Sequence, residues 1–269
     1  MRVIALSALW IVLAACTSLP RRPAPPPGPG DATGAIAHAE PHSGRAHRGN
    51  PPFYDVNGRR YTVLASADHY VERGVASWSG RDFQGHNTSS GERYDMYGMT
   101  AAHKTLPLPC YARVTNLANG RSIVVRINDR GPFVANRIVD LSYTAATQLD
   151  LVRNGTAFVE LRTVGPAAVA DATPGVAATP PILVAPPTAA MPLALYIQVG
   201  AYSEQDNAQR VIDRLRTAGV SQVLSVPSTT GGRTLRRVRV GPIATVEEFD
   251  RLAVRLAGLG YGEARLATD

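Results

Sequence analysis

The sequence predicts two small domains of different class, an all-β closed barrel followed by an α+β unit, strung on Pro/Ala-rich linkers. Three observations predict it. Residues 17–52 and 166–192 are rich in Pro, Ala, Gly and Thr and show neither helical nor strand periodicity. Between them lie many short β-branched runs broken by turn residues, which favours a small barrel over a sandwich. After the second, strand-like runs alternate with two amphipathic helical patterns. At 269 residues and 45% hydrophobic content the chain can build two cores near the lower size limit for independent folding, and a wholly disordered chain is excluded.

In chain order, Met1-Arg2 precedes an apolar run over residues 3–15 and then Cys16. That run is too short to span a bilayer and reads as a secretory signal. Its end, Leu13-Ala14-Ala15-Cys16, resembles a bacterial lipobox, so residues 1–16 are expected to be a lipoprotein signal with Cys16 acylated and the mature chain held by acyl chains. Thr17 is not the Asp that retains such proteins in the inner membrane, so the anchor is expected in the outer membrane, facing the periplasm. Cys110, the other cysteine of two, is then expected to be buried and inert. Residues 17–70 are expected to be a disordered tether, with His38, His42 and His47 as solvated linker residues.

Residues 71–165 form the predicted barrel. Runs at 74–78, 113–117, 121–128, 138–141 and 157–164 read as strands, with Asn119-Gly120 as a type I′ hairpin turn. Ser142 caps a short helix through Asp150 whose Ala145, Ala146 and Leu149 face inward. After the linker 166–194, residues 195–269 read βαββαβ. The first strand spans 195–202; Ser203 and Asp206 open a helix with Ala208, Val211, Ile212 and Leu215 on one face, ended by Gly219. Strands at 222–226 and 234–240 follow, then a helix started by the capping pair Thr245 and Glu248, then a strand at 263–267. Helices on one side leave the other face of this sheet open, presenting Tyr196, Gln198, Gly200, Arg237 and Arg239.

The formal charge of +7 is spread thinly: +3 in residues 1–50, zero in 51–70, +3 in 71–165, −1 in 166–194 and +2 in 195–269. With no large basic face and a secretion signal, nucleic acid is excluded as a partner. Polar residues cluster on loops of the barrel: Glu92 and Asp95 in one segment, His103 in a second and Asp129-Arg130 in a third. Asp129 alone reads as a turn residue, but acidic and imidazole groups concentrated in one small domain point to a site. The spacing lacks the short-range ligand pairs of a metal centre, so neither metal nor cofactor is expected.

These residues resemble the rare lipoprotein A family. The resemblance rests on Gly74-Val-Ala-Ser-Trp78, Phe83 with Gly85, residues 88–92, Met99-Thr-Ala-Ala-His103, Asn128-Asp-Arg-Gly-Pro-Phe133, Ile138-Val-Asp-Leu-Ser142, Gln198-Val-Gly200 and Arg237-Val-Arg-Val-Gly-Pro242. It covers about residues 71–165 and 195–267. One departure is Ser79, where the family usually has Tyr. The resemblance implies a six-stranded double-psi β-barrel, then a ribonucleoprotein-like sporulation-related repeat domain. It further implies a lyase, a lytic transglycosylase that cleaves the MurNAc–GlcNAc β-1,4 bond of peptidoglycan with 1,6-anhydro-MurNAc formation, prefers strands stripped of stem peptides, and works with septal-ring proteins at the division septum. Carried over by position, Asp129 is the expected acid/base and Glu92 the second choice, with His103 and Asp95 as orienting or charge-stabilising groups. Trp78 and Arg130 on the barrel and Tyr196, Gln198, Arg237 and Arg239 on the second domain are expected to bind glycan. The alternative is a non-catalytic, expansin-like protein that binds or loosens the wall.

Overall fold

The structure, a computed structural model, describes residues 48–165, 194–230, 232–262 and 265–268. The expected signal segment with Cys16, the tether up to residue 47 and nearly all of the linker lie outside the described residues.

The chain becomes ordered earlier than expected. Strands β1 (Phe53–Val56) and β2 (Arg59–Thr62) pair as a hairpin inside the segment expected to be tether up to residue 70. Its turn, Asn57-Gly58, takes positive φ at both residues (51° and 74°), as a type I′ turn requires. A two-stranded hairpin alone is marginal in water, and this one is held by the barrel. The Tyr54 hydroxyl donates to the Lys104 carbonyl (2.7 Å), and the Asn50 side chain bonds both the N–H and the C=O of Leu108 (2.8 and 2.6 Å). These partners lie about 50 residues away, so no local pattern could signal them.

The barrel closes six strands in the order β3-β7-β4-β6-β5-β8, where β3 is Val71–Trp78, β4 Thr100–His103, β5 Cys110–Asn116, β6 Ser122–Asp129, β7 Arg137–Leu141 and β8 Ala157–Val164. The β3–β7 and β4–β6 pairs are parallel and the other four antiparallel. Thr100-Ala-Ala-His103, expected at a loop or strand end, is the sixth strand; it is too short for alternation to reveal it. The β5–β6 turn also differs from expectation: only Gly120 has positive φ (74°), and the Asn116 N–H bonds the Arg121 carbonyl. It is a longer turn closed by a left-handed glycine. Helix α1 (Tyr143–Gln148) starts as expected, with the Ser142 hydroxyl accepting from the Ala145 N–H. The core is filled by Ala76, Val125, Ile127, Val139, Leu141 and Leu161, with the thiol of Cys110 packed against it. Burial pushes that thiol up to about 12, so it stays protonated and inert.

The second domain is a four-stranded antiparallel sheet in the order β10-β11-β9-β12. Its elements are β9 (Leu195–Tyr202), α2 (Gln205–Thr217), β10 (Val223–Thr230), β11 (Arg233–Ile243), α3 (Val246–Gly258) and β12 (Arg265–Thr268). Strands β10 and β11 are longer than the expected 222–226 and 234–240. The Thr245 hydroxyl caps α3 by accepting from the Glu248 N–H, whereas α2 starts at Glu204 with no side-chain cap. Ile197, Val238 and Val240 pack against Ala208, Ile212, Leu215, Phe249 and Leu256 of the helices.

Candidate active site

Strand β4 lies between β6 and β7. Its Ala101 is opposite Ile127 and Leu141, and all three are in the core; its Ala102 is opposite Asp129 and Asp140. Residues directly opposite share a face. Strict alternation along β6 would send residue 129 inward with Val125 and Ile127. Instead the β4–β6 register slips between Ala101 and Ala102, so Asp129 turns to the outer side beside Ala102. The two aspartates therefore flank a methyl group, their Cα atoms two strand spacings apart, about 10 Å. Between them opens a cavity of about 40 Å³ lined by Ser79, Phe83, Tyr94, Thr100, Ala101, Ala102, Asn128, Asp129 and Asp140.

The two carboxyl groups are held differently. Asp129 Oδ1 accepts from the Ser89 N–H (2.8 Å), the Ser89 hydroxyl (2.7 Å) and the Arg130 N–H (2.7 Å). Asp140 meets two hydroxyls: Ser77 donates to Oδ1 (2.8 Å) and Ser79 to Oδ2. Burial pushes Asp140 above the ordinary carboxylate range, the two serine hydrogen bonds pull the other way, and the charge of Asp129 adds to the rise. Asp140 is thus the carboxyl of this pocket inclined to keep a proton. Burial also raises Tyr94, whose hydroxyl donates to the Ser79 carbonyl (2.7 Å) and remains protonated. Thr100 Oγ1 is buried at the pocket with no hydrogen-bond partner among the described residues.

The other sequence-predicted residues lie around this pocket or away from it. Burial alone would raise Glu92, but hydrogen bonds from Arg126 (2.6 Å) and Asn128 (2.8 Å) outweigh it and hold the carboxyl below its usual value. It touches the pocket only through Asn128. Asp95 sits on an exposed turn, accepting from the Tyr97 N–H and the Gln84 amide. His103 alternates with Ala102 and points to the opposite side, where it is 2% exposed. Its Nδ1 accepts from the N–H groups of Thr105 and Leu106 (3.2 and 3.1 Å), which leaves the proton on Nε2, facing Glu72 at 3.1 Å. Burial lowers its pKa, with the Glu72 contacts opposing, so the ring is a neutral brace for the 103–106 turn.

Trp78 is opposite Leu141 and packs against the core, its ring 5.7 Å from Tyr143, rather than lining the pocket. The Arg130 guanidinium, expected on substrate, is taken by backbone: it donates to the carbonyls of Gly49 (2.6 Å), His103 (3.3 Å) and Leu106. Asp140, Ser79, Tyr94 and Thr100 stand within the segments singled out from the sequence, but none of them was expected as a site residue. A signal for Asp140 existed, since it is the one charged residue within Ile138-Val-Asp-Leu141, where an apolar strand has no use for a carboxylate.

On the second domain, Val238 is opposite Gly200 whereas Arg239 is opposite Gln198, so β9 bulges at Val199. Beyond the bulge alternation is reversed. Gly200, expected on the open face, shares the helix-side face of Val238, and Ala201 joins Arg237 on the open face. Tyr196, Gln198, Arg237 and Arg239 remain there together: the Arg239 guanidinium is 5.7 Å from the Tyr196 ring centre and Arg237 reaches Gln198 at 3.5 Å. Arg239, expected on this open face to bind glycan, is only 8% exposed there.

Residues 71–161 match the family model described as lytic transglycolase, and residues 194–266 match the SPOR domain. The endolytic peptidoglycan transglycosylase RlpA of Pseudomonas aeruginosa PAO1 is 37% identical over an alignment of 266 residues covering 82% of this chain and 77% of that protein. The protein of the same name from Vibrio cholerae is 38% identical, covering 80% and 76%. A crystal structure of the RlpA SPOR domain from Pseudomonas aeruginosa aligns with 27% of this chain and 96% of its own length, at 29% identity and a TM-score of 0.26. With a six-stranded barrel, an α+β second domain and relatives of that identity and coverage, the chain belongs to the RlpA family, the rare lipoprotein A family.

Proposed function

We propose that this chain is an endolytic lytic transglycosylase of peptidoglycan, cutting the β-1,4 bond between MurNAc and GlcNAc. The observation that carries the reading is the pair of aspartates across Ala102, one of them buried among hydroxyls and pushed towards the protonated state. Family membership supports it, the relatives being named for that activity.

In the reaction Asp140 donates its proton to the glycosidic oxygen as the C1–O bond breaks and the GlcNAc side leaves. Positive charge develops at C1 of the muramic ring, and Asp129 stabilises it. The Asp140 carboxylate then takes the proton of the muramic C6 hydroxyl while that oxygen bonds to C1, giving the 1,6-anhydro ring and restoring the acid. No water is consumed. Asp140 suits the acid role because burial raises its carboxyl, while Asp129 Oδ1 is fixed in place by three donors. Glu92, anchored by Arg126, positions Asn128 beside Asp129. The Tyr94 hydroxyl, held by the Ser79 carbonyl, keeps its oxygen lone pairs for a sugar hydroxyl, and the Thr100 hydroxyl lies beside it on the pocket wall.

The second domain binds the glycan, with preference for strands lacking stem peptides, through Tyr196, Gln198, Arg237 and Arg239. Its match to the SPOR domain supports this reading. Lipidation at Cys16, anchorage in the outer membrane and enrichment with septal-ring proteins at the division site follow from the sequence reading of residues 1–16 and from the family.

The test is a digest of amidase-treated and untreated sacculi by the chain, with released fragments identified by mass. The expected result is anhydro-MurNAc-terminated oligosaccharides, in greater yield from the amidase-treated material. Binding without any anhydro product from either substrate would remove the enzymatic reading and leave the wall-binding alternative.

A further inference from the structure

The hairpin that replaces the end of the expected tether builds a second concavity beside the catalytic pocket. It measures about 330 Å³ and is lined by Gly49, Pro51, Tyr54, Val56, Ser89, Arg130 and Phe133, a volume at the lower end of small-molecule sites. Both of its walls are fixed. On the hairpin side, Tyr54 stacks on Tyr61 (5.3 Å between ring centres) and hydrogen-bonds the Lys104 carbonyl. On the barrel side, Phe133 meets the edge of Tyr54 at 6.2 Å. The floor is closed because Gly49, at φ 82°, passes so near Ser89 that a Cβ would lie 2.6 Å from its carbonyl oxygen; only glycine fits there.

Two features of this groove need an explanation that folding does not supply. Phe133 is 39% exposed and the adjoining Val134 65% exposed, so an apolar ledge faces solvent at the mouth. Ser89 also links the two concavities: it lines the groove, and its N–H and hydroxyl hold Asp129, which lines the pocket. The catalytic pocket, at about 40 Å³, has room for the reacting linkage and not for the sugars on either side. A polysaccharide cut there must run out along the surface, and the groove reached through Ser89 is a continuation of that path.

We infer that the groove between the hairpin and the Arg130–Phe133 loop is a sugar subsite, holding a pyranose of the same glycan strand more than two residues along from the bond being cut, beyond the reach of a tetrasaccharide. This rests on the proposed cleavage of peptidoglycan and adds a positioning role for the segment N-terminal to the barrel. A pyranose presents an apolar C–H face and a polar hydroxyl rim; Phe133 supplies a flat apolar surface for the first, and Ser89 with the groove's backbone a polar floor for the second.

The test uses the full chain and peptide-free GlcNAc–MurNAc oligosaccharides of two lengths, a tetrasaccharide and an octasaccharide. Phe133→Leu keeps apolar volume against Tyr54 but removes the flat face. It is expected to lower kcat/KM on the octasaccharide about tenfold and on the tetrasaccharide by less than about twofold, with Phe133→Trp restoring the parent ratio. The second domain is untouched in both variants, so its contribution cancels. An equal loss on both lengths, or none on either, would overturn the subsite while leaving the cleavage reading intact. The complementary measurement is the NMR shift of the Phe133 and Tyr54 ring protons when octasaccharide is added to Asp140→Asn, which binds without cutting. Shifts at both rings are expected. Their absence, or shifts with a stem peptide in place of the sugar, would overturn the subsite even if the parent chain cleaved nothing.

Discussion

The barrel and the second domain both interrupt a strand's alternation where their polar residues gather, with opposite results. On β6 the slip at Asn128 carries Asp129 out of the core parity into a narrow concavity, where a methyl group separates it from Asp140. On β9 the slip at Val199 turns Gly200 towards the helices and leaves Tyr196, Gln198, Arg237 and Arg239 on a continuous sheet face. In the first case a bulge buries like charges together, which raises the proton affinity of the more enclosed one. In the second it aligns a ring, an amide and two guanidinium groups side by side, which suits contact with a long thin ligand. In the proposed reading, the same backbone device makes a reactive site when it opens into a concavity and an adhesive one when it opens on a flat face.

Four substitutions would break or sharpen that contrast. The largest effect is expected for Asp140→Asn: anhydro-product release from sacculi should fall about a hundredfold to ten-thousandfold, the range of general acid catalysis. Its melting temperature should stay level or rise, because a desolvated carboxyl is removed. Normal product yield from this variant would take the acid role away from Asp140.

His103→Ala tests the other face of β4. It orphans the N–H groups of Thr105 and Leu106 and leaves the Glu72 carboxylate with Tyr70 but without its imidazole partner, and should cost about 2–5 kcal/mol in urea unfolding. Activity at low temperature should track the folded fraction; abolished turnover in a fully folded variant would place His103 in the chemistry after all.

A smaller effect is expected from Gln198→Ala, which should weaken sedimentation with amidase-treated sacculi about tenfold, or ~1.4 kcal/mol, while turnover of short oligosaccharides is unchanged. Equal binding would remove the open sheet face as the glycan surface.

The smallest is Ser79→Ala. The Ser79 hydroxyl lowers the pKa of Asp140, so its loss should raise that pKa further. Because the acid must be protonated to act, the alkaline limb of the kcat/KM profile should move to higher pH, with little change in the plateau. A limb that moves to lower pH, or stays where it is, would detach Ser79 from the acid. The position where the family usually has a tyrosine thus gains a use here that its size alone did not indicate.

Much of the architecture was legible in the sequence for a plain reason: alternation and capping are local. The strand at Ala157–Val164, the helix begun by Ser142, the cap at Thr245 and the first strand of the second domain all carry their signals within a few residues. The site was half legible. Asp129 announced itself on a polar loop, but Glu92, His103 and Asp95 sat on equally polar segments, and only pairing across β4 separates the residue that shares a pocket with Asp140 from those that brace a turn or cap a loop. The hairpin from Phe53 was read as tether because its stabilising contacts reach Lys104, Leu108 and Arg130.

By itself, then, the sequence determined the two domains, their classes, their main elements and the family, since each depends on short-range periodicity or on motifs of contiguous residues. The tertiary structure decided which carboxyl burial raises, which arginine is spent on backbone carbonyls, and which face Gly200 takes. Proton affinity depends on burial and on charges brought together from distant strands, and a one-residue slip in register reverses every side chain beyond it. Neither quantity exists until the strands have paired.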